Sequence, residues 1–169
     1  MGASLNRGES AQDIETPDEF IDAVASRFGN PKFDLAATEA NKKAEWYYGP
    51  GSSLGEDSLA MNWSRIAWVE RNEPQRKLLW LNPPFDPIEP WVAKCAEEYQ
   101  RGARILLLCR GSIDSNWWWQ YIQPNAVVYA LTPRIKFVGQ AQGYPSPLVL
   151  CTFNVLGVPG GPIQRWRWR

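Results

Sequence analysis

Four consecutive apolar residues, Leu78-Leu79-Trp80-Leu81, run directly into Asn82-Pro83-Pro84-Phe85. An apolar run with no polar alternation, bounded by breakers, reads as a buried strand. The two prolines end it, because each locks φ and lacks an N–H for the ladder. The chain is therefore committed to a buried strand that stops at a stiff corner, and that corner has chemistry of its own. The proline-stiffened backbone leaves carbonyls free to accept, above all that of Pro83. Asn82 adds an amide oxygen close by, and Phe85 adds a flat ring for stacking. Two acceptors beside a platform suit an exocyclic NH2 on an aromatic ring. The competing account is a rigid strand-to-loop turn with no chemical role.

The pattern on either side of this corner sets the fold class. Thr16-Pro17-Asp18-Glu19 is expected to open a helix, with Thr16 as N-cap, Pro17 in the first turn and Glu19 three residues after the cap. Phe20, Val24 and Phe28 make its apolar stripe, and Gly29-Asn30-Pro31 stops it. Lys32 to Ala37 reads as a short strand followed by a helical stretch through Ala44. Trp46 to about Met61 reads as a long loop. Around Ile66, Trp68 and Val69 the pattern fits either a strand or a short helix. Beyond the corner come a helix from Ile88 to Gln100, a strand from Ile105 to Cys109 and a short helix from Trp117 to Ile122. Further strands are expected at Ala126–Leu131, Arg134–Val138 and Leu148–Val155. Alternating helix and strand predict an α/β fold, a mostly parallel sheet flanked by helices. The strand-rich second half predicts an antiparallel edge.

At 169 residues the chain fits one domain. The expected organisation is a flexible arm over 1–12, a domain over 13–157 and a tail over 158–169. The tail's Arg165-Trp166-Arg167-Trp168-Arg169 alternation reads either as a grip on phosphates or as a frayed end. With no histidine, Ser-His and Cys-His nucleophilic catalysis and most zinc hydrolase designs fall away. Cys95, Cys109 and Cys151 sit in apolar or helical segments without metal-like spacing and read as buried free thiols. No metal is expected. A formal net charge of zero means that any nucleic-acid binding must come from a local basic face. No run approaches the ~20 apolar residues of a membrane span and no signal-peptide pattern opens the chain, so a cytoplasmic protein is expected.

Taken in order, Glu15-Thr16-Pro17, Phe33-Asp34-Leu35-Ala36-Ala37 before Asn41, and Leu81-Asn82-Pro83-Pro84-Phe85 before Trp91-Val92 carry a resemblance. Weaker marks are Asp57-Ser58-Leu59, Asp114-Ser115 before Trp117, and Arg134-Ile135-Lys136-Phe137. Over residues 14–155 the chain resembles the phage-type, Dam-like DNA N6-adenine methyltransferases, S-adenosylmethionine-dependent enzymes of Rossmann-like fold.

The resemblance implies that Asn82 and the Pro83 carbonyl accept from the target amine, on a turn completed by Pro84. It implies that Phe85 stacks on a flipped adenine. Thr16, Pro17, Asp34 and Ala36 would lie against the methionine part of S-adenosylmethionine, and Asp57 against its adenosine. Plainer roles are a strand-end turn for Asp34, a helix cap for Thr16 and a solvated loop for Asp57. Arg110, Arg134 and Lys136 are candidates for DNA contact, with Trp117 as a wedge or wall; the plain account is a core tryptophan and solvated cations. Ala36-Ala37-Thr38 stands where many methyltransferases carry Gly-x-Gly, and Phe85 stands where Tyr is commoner. The implied partner is double-stranded DNA, bound by a monomer. The corner equally suits cytosine N4, an RNA base or a protein glutamine amide, and a non-catalytic binding module is a further alternative.

Overall fold

The computed structural model describes residues 14–66 and 77–169. The expected arm over 1–12 and the ambiguous stretch at Trp68 and Val69 lie outside the described residues. The Leu78–Leu81 run is strand β3, buried at all four positions. To label elements in chain order, the helices are α1 (Asp18–Phe28), α2 (Trp63–Ile66) and α3 (Glu89–Gln100). The other strands are β1 (Phe33–Asp34), β2 (Trp46–Tyr47), β4 (Arg104–Arg110), β5 (Val127–Thr132), β6 (Leu148–Phe153) and β7 (Gln164–Arg167).

They form one seven-stranded sheet in the order β2-β1-β3-β4-β6-β5-β7. β1, β2, β3 and β4 pair in parallel, as do β5 and β7, while β6 runs antiparallel to both β4 and β5. All strands but β6 therefore end on the same edge. The order reverses between β1 and β3. In open α/β sheets that switch point is where a crevice for ligands opens beyond the strands' carboxyl ends. The architecture is Rossmann-like, as the sequence predicts.

Side-chain parity assigns the two faces. Trp80 pairs in register with Asp34 on β1 and with Leu106 on β4. α1 covers this face: Phe20 meets Trp80, Trp166 and Trp168, and Phe28 meets Tyr129 and Trp166, mostly edge to face. α3 lies on the other face, where its Cys95 neighbours Cys109. The three cysteines are buried and free, as expected. Among the described residues no helix is long and apolar enough to cross a membrane.

Several expectations are corrected. α1 starts one residue later than its sequence suggests: Pro17 is the N-cap, and its carbonyl accepts from the amides of Phe20 and Ile21. Thr16 thus lies outside the helix. The helix expected after Ala37 is a turn. The Asn41 side chain takes the Thr38 amide at 2.7 Å, and after one helical bond from the Lys42 amide to the Thr38 carbonyl the Lys43 amide goes to the Asp34 carboxylate at 2.9 Å instead of continuing a helix. Trp46–Tyr47, expected in a loop, pairs with β1 instead. Arg134–Val138 buries Ile135 and Phe137 and exposes Arg134, Lys136 and Val138, yet it is no strand. Ile135 takes one bond, from the Tyr144 amide, and Val138 gives its amide to the Glu15 carbonyl. Its alternation thus records burial without a ladder.

The antiparallel pair is internal, because the stretch expected to be a tail supplies β7 at the edge. Trp166 and Trp168 point into the aromatic layer under α1, and Trp168 Nε1 donates to the Pro133 carbonyl at 2.7 Å. Arg165, Arg167 and Arg169 face outward. Charged residues on an edge strand discourage pairing with another chain. Trp166→Ala is expected to destabilise the fold by about 3–5 kcal/mol, and Arg167→Ala to change it by no more than about 0.5 kcal/mol, as read by urea unfolding.

Candidate functional site

Asn82 follows Trp80 by two residues, so its side chain emerges on the α1 side of the sheet, where the segment leading into α1 passes. There its Nδ2 donates to the Ile14 carbonyl at 3.2 Å and to Thr16 Oγ1 at 3.1 Å. A backbone carbonyl can only accept, so the amide nitrogen must be the atom that faces Ile14. Oδ1 consequently points away. Among the described residues nothing donates to Asn82 Oδ1 or to the Pro83 carbonyl. The acceptors required by the sequence reading are both open.

Across the switch point, Asp34 ends β1 and is 2 % exposed. Its Oδ1 accepts from the Ala36 amide at 3.2 Å and its Oδ2 from the Lys43 amide at 2.9 Å. Burial pushes its pKa up to about 6, against the lowering effect of these two amides and of the Lys43 charge. A small cavity of about 10 Å³ joins Asp34 to Asn82, walled by Ile14, Thr16, Ala36, Lys43 and Trp80 among others. That is room for about one water or a group of ammonium size.

Lys43 was not singled out by the sequence. Its Nζ bridges Glu15 at 2.7 Å and Asp18 at 2.8 Å, while its own amide holds Asp34. Burial alone would lower its pKa, but the two carboxylates outweigh burial and raise it. The residue ties the loop after β1 to the segment before α1. Its role depends on a fold-back of the chain that no local spacing announces. Gly49 is similarly hidden. It has φ +143°, and a Cβ there would lie 1.9 Å from the Ala37 carbonyl. The close approach expected of a glycine after β1 is thus made from the neighbouring loop, against Ala36-Ala37.

The remaining candidates divide. Pro17 caps α1 beside Thr16 and is not part of the cavity wall. Asp57 is exposed and accepts from the Leu59 amide, capping a short 3-10 turn at Ser58–Ala60; it too is off the cavity wall. Pro83 is buried and Pro84 half-buried in the turn. Phe85 is buried rather than an open platform. The Arg110 guanidinium lies over its ring at 5.9 Å and donates to its carbonyl at 2.6 Å, and Tyr144 packs at 5.5 Å, nearly perpendicular. Tyr144 also meets Phe137 edge to face.

Trp117 is half-buried against Trp118, whereas the exposed indole is that of Trp119, 61 % accessible. Arg134 donates to the carbonyls of Tyr144 and Pro145. Lys136 is exposed two residues before Val138, whose amide bonds to Glu15. Among the described residues none of Arg110, Arg134 and Lys136 has a carboxylate partner.

The Asp34 shift has a consequence for stability. Its carboxyl titrates near 3.8 in the unfolded chain and at about 6 in the folded one. Between those values the native state keeps a proton that the unfolded state has released, so stability falls as pH rises through 6. Relative to Asp34→Asn, which does not titrate, wild type is expected to lose roughly 2.5 kcal/mol between pH 4 and pH 8. Urea unfolding of both proteins across that range checks it.

Comparison with known proteins gives the lineage. A DNA N-6-adenine-methyltransferase of Escherichia phage T1 is 27 % identical over 154 residues, covering 82 % of this chain. The chain spans 59 % of that relative's length. A structure described as a predicted O-methyltransferase from Agrobacterium tumefaciens gives a TM-score of 0.43 at 12 % identity, over 88 % of this chain and 84 % of its own. The family model for DNA N-6-adenine-methyltransferase (Dam) matches residues 5–147, a span that includes both sides of the Asp34–Asn82 cavity. The chain belongs to that family.

Proposed function

We propose that this chain transfers a methyl group from S-adenosylmethionine to N6 of an adenine flipped out of double-stranded DNA. It would act at specific sites, in the cytoplasm. The observation that carries the reading is the geometry of Asn82: its amide nitrogen is tied back, which leaves Oδ1 and the carbonyl of the next residue, Pro83, as acceptors without a donor among the described residues. Family membership supports adenine as the base.

An aromatic amine is a weak nucleophile, because its lone pair is delocalised into the ring. When Asn82 Oδ1 and the Pro83 carbonyl accept its two N–H bonds, they favour a pyramidal nitrogen with a localised pair. Both bonds strengthen as the nitrogen becomes cationic. They therefore stabilise the transition state more than the ground state. The methylated nitrogen then loses a proton to water, and no histidine is needed. Arg110 braces this corner from beneath, through the Phe85 carbonyl and ring. A flipped base stacking on Phe85 has to share that ring with Arg110 and Tyr144.

Bound S-adenosylmethionine supplies an electrophilic methyl group on a sulfonium. The residues present fit its amino-acid end. Asp34 is a buried carboxylate held by neutral amides, beside small Ala36 and the Thr16 hydroxyl, in a cavity of ammonium size. A cation there offsets the desolvation that raises the Asp34 pKa. Phosphate contact falls to Arg110, Arg134 and Lys136, with Trp117 as a wall.

Labelled methyl incorporation into duplex DNA, RNA and protein, with identification of the modified base, tests the assignment; product other than N6-methyladenine overturns it. Asn82→Ala is expected to keep cofactor affinity within about threefold while kcat falls roughly a hundredfold. Equal loss of both would make Asn82 structural. Lys136→Ala should reduce the slope of log K for duplex against log salt by about 0.9, its share of one phosphate.

A further inference from the structure

We infer that the Ile14–Thr16 segment is a positioning device for Asn82, and that Thr16 acts on methyl transfer through that amide rather than only on the methyl donor. This rests on the methyl-transfer reading of the Asn82 corner. The terminal torsion of an asparagine is broad and roughly two-fold, so an untethered amide presents either oxygen or NH2 to a target. Presenting NH2 would set donor against donor. Here the two hydrogens of Nδ2 are spent on the Ile14 carbonyl and Thr16 Oγ1, residues 68 and 66 positions away. Thr16 is 2 % exposed, so water does not compete for its hydroxyl.

The segment is itself pinned. The Glu15 carboxylate bonds to Lys43 Nζ at 2.7 Å, the Glu15 carbonyl accepts from the Val138 amide at 3.0 Å, and α1 begins just beyond. The tether also discriminates between Asn and Asp at position 82. A threonine hydroxyl can turn to donate, but the Ile14 carbonyl cannot, and it would face a carboxylate oxygen. The arrangement serves an asparagine, or a protonated acid.

The test uses the full chain with Thr16→Val, which removes the acceptor at constant volume, and Thr16→Ser, which keeps a hydroxyl. Three quantities are read: the single-turnover methyl-transfer rate on duplex DNA at saturating cofactor, the cofactor Kd by calorimetry, and the NMR signals of the Asn82 side-chain amide. Thr16→Val is expected to slow transfer roughly tenfold, the loss of about one net hydrogen bond. Its Kd should change less than the rate does, and one Asn82 amide proton should move upfield and lose exchange protection. Thr16→Ser should recover most of the rate and the proton signal. An unchanged rate in Thr16→Val, an unchanged amide signal, or a loss confined to Kd overturns the inference.

Asn82→Asp, with Thr16 intact, gives an independent reading should Thr16→Val fail to fold. Its rate should fall at least about tenfold at pH 8 and partly recover as falling pH protonates the introduced carboxyl. A rate equal to wild type at every pH overturns the inference as well. A wild-type protein that transfers no methyl to any substrate, with its amide protons still protected, sinks the site reading itself; a normal rate in Thr16→Val with active wild type sinks only the positioning role.

Discussion

The Asp34 carboxylate organises the edge of the sheet on which the rest of the site depends. It is buried at the end of β1 and holds two amides, one two residues on and one nine residues on. Those bonds turn the chain back upon itself. The second takes the Lys43 amide from any helix over 38–44 and sets Lys43 where its ammonium reaches the segment before α1. From that segment come the two acceptors of the Asn82 amide. A single desolvated carboxylate thus sits at the head of a chain of links running Asp34, Lys43, Glu15, Thr16, Asn82 around the switch point, hydrogen-bonded at every step but the covalent one from Glu15 to Thr16. Keeping it ionised in the fold costs roughly 3 kcal/mol well above pH 6, net of the two amides and the Lys43 charge that offset burial. A fold tolerates such a charge where a ligand needs it, which is a physical reason to read this edge as functional.

Much of this was legible in the residues. The uninterrupted Leu78–Leu81 run, followed by prolines, predicted strand β3 and the stiff corner that ends it. The α1 stripe, α3 and β4 came out nearly as expected, since each is a long periodic or apolar segment whose burial is decided locally. Failures gather where the deciding partner is distant. Thr16 had every sign of a helix cap, but its hydroxyl goes to a residue 66 positions away. The 134–138 alternation looked like a strand because Ile135 and Phe137 are core, although among the described residues no strand offers it a ladder. Lys43 and Gly49 carry no local signature, because what they touch is brought to them by the fold.

The C-terminal Arg-Trp alternation is the clearest case of one pattern with two readings. Period-two alternation of aromatics and cations belongs equally to a free tail and to an edge strand. The open flank of β5 decides between them. Without β7 that flank would present unpaired amides and carbonyls, and the aromatic surface of Phe20 and Phe28 would meet solvent. Trp166 and Trp168 cover the second, and the β7 ladder satisfies the first. The family match ends at residue 147, before β6 and β7. The sheet is therefore completed by strands outside the matched span, while both sides of the cavity lie within it.

On the proposed methyl-transfer reading, the two sides of the switch point differ in charge for a chemical reason. Recognition of the donor's ammonium would favour a carboxylate, and Asp34 is one kept there in spite of burial. Target-side activation has to favour a charge that exists only in the transition state. A full negative charge at position 82 would already bind the neutral amine's hydrogens strongly and would carry its own desolvation cost. A neutral amide oxygen and a main-chain carbonyl interact weakly with the ground state and more strongly as the nitrogen becomes cationic. They need only be aimed, and aiming is what two acceptors on Nδ2 and two prolines in the backbone accomplish. On the proposed reading, rigid aim rather than a histidine base activates the amine, and the chain has no histidine.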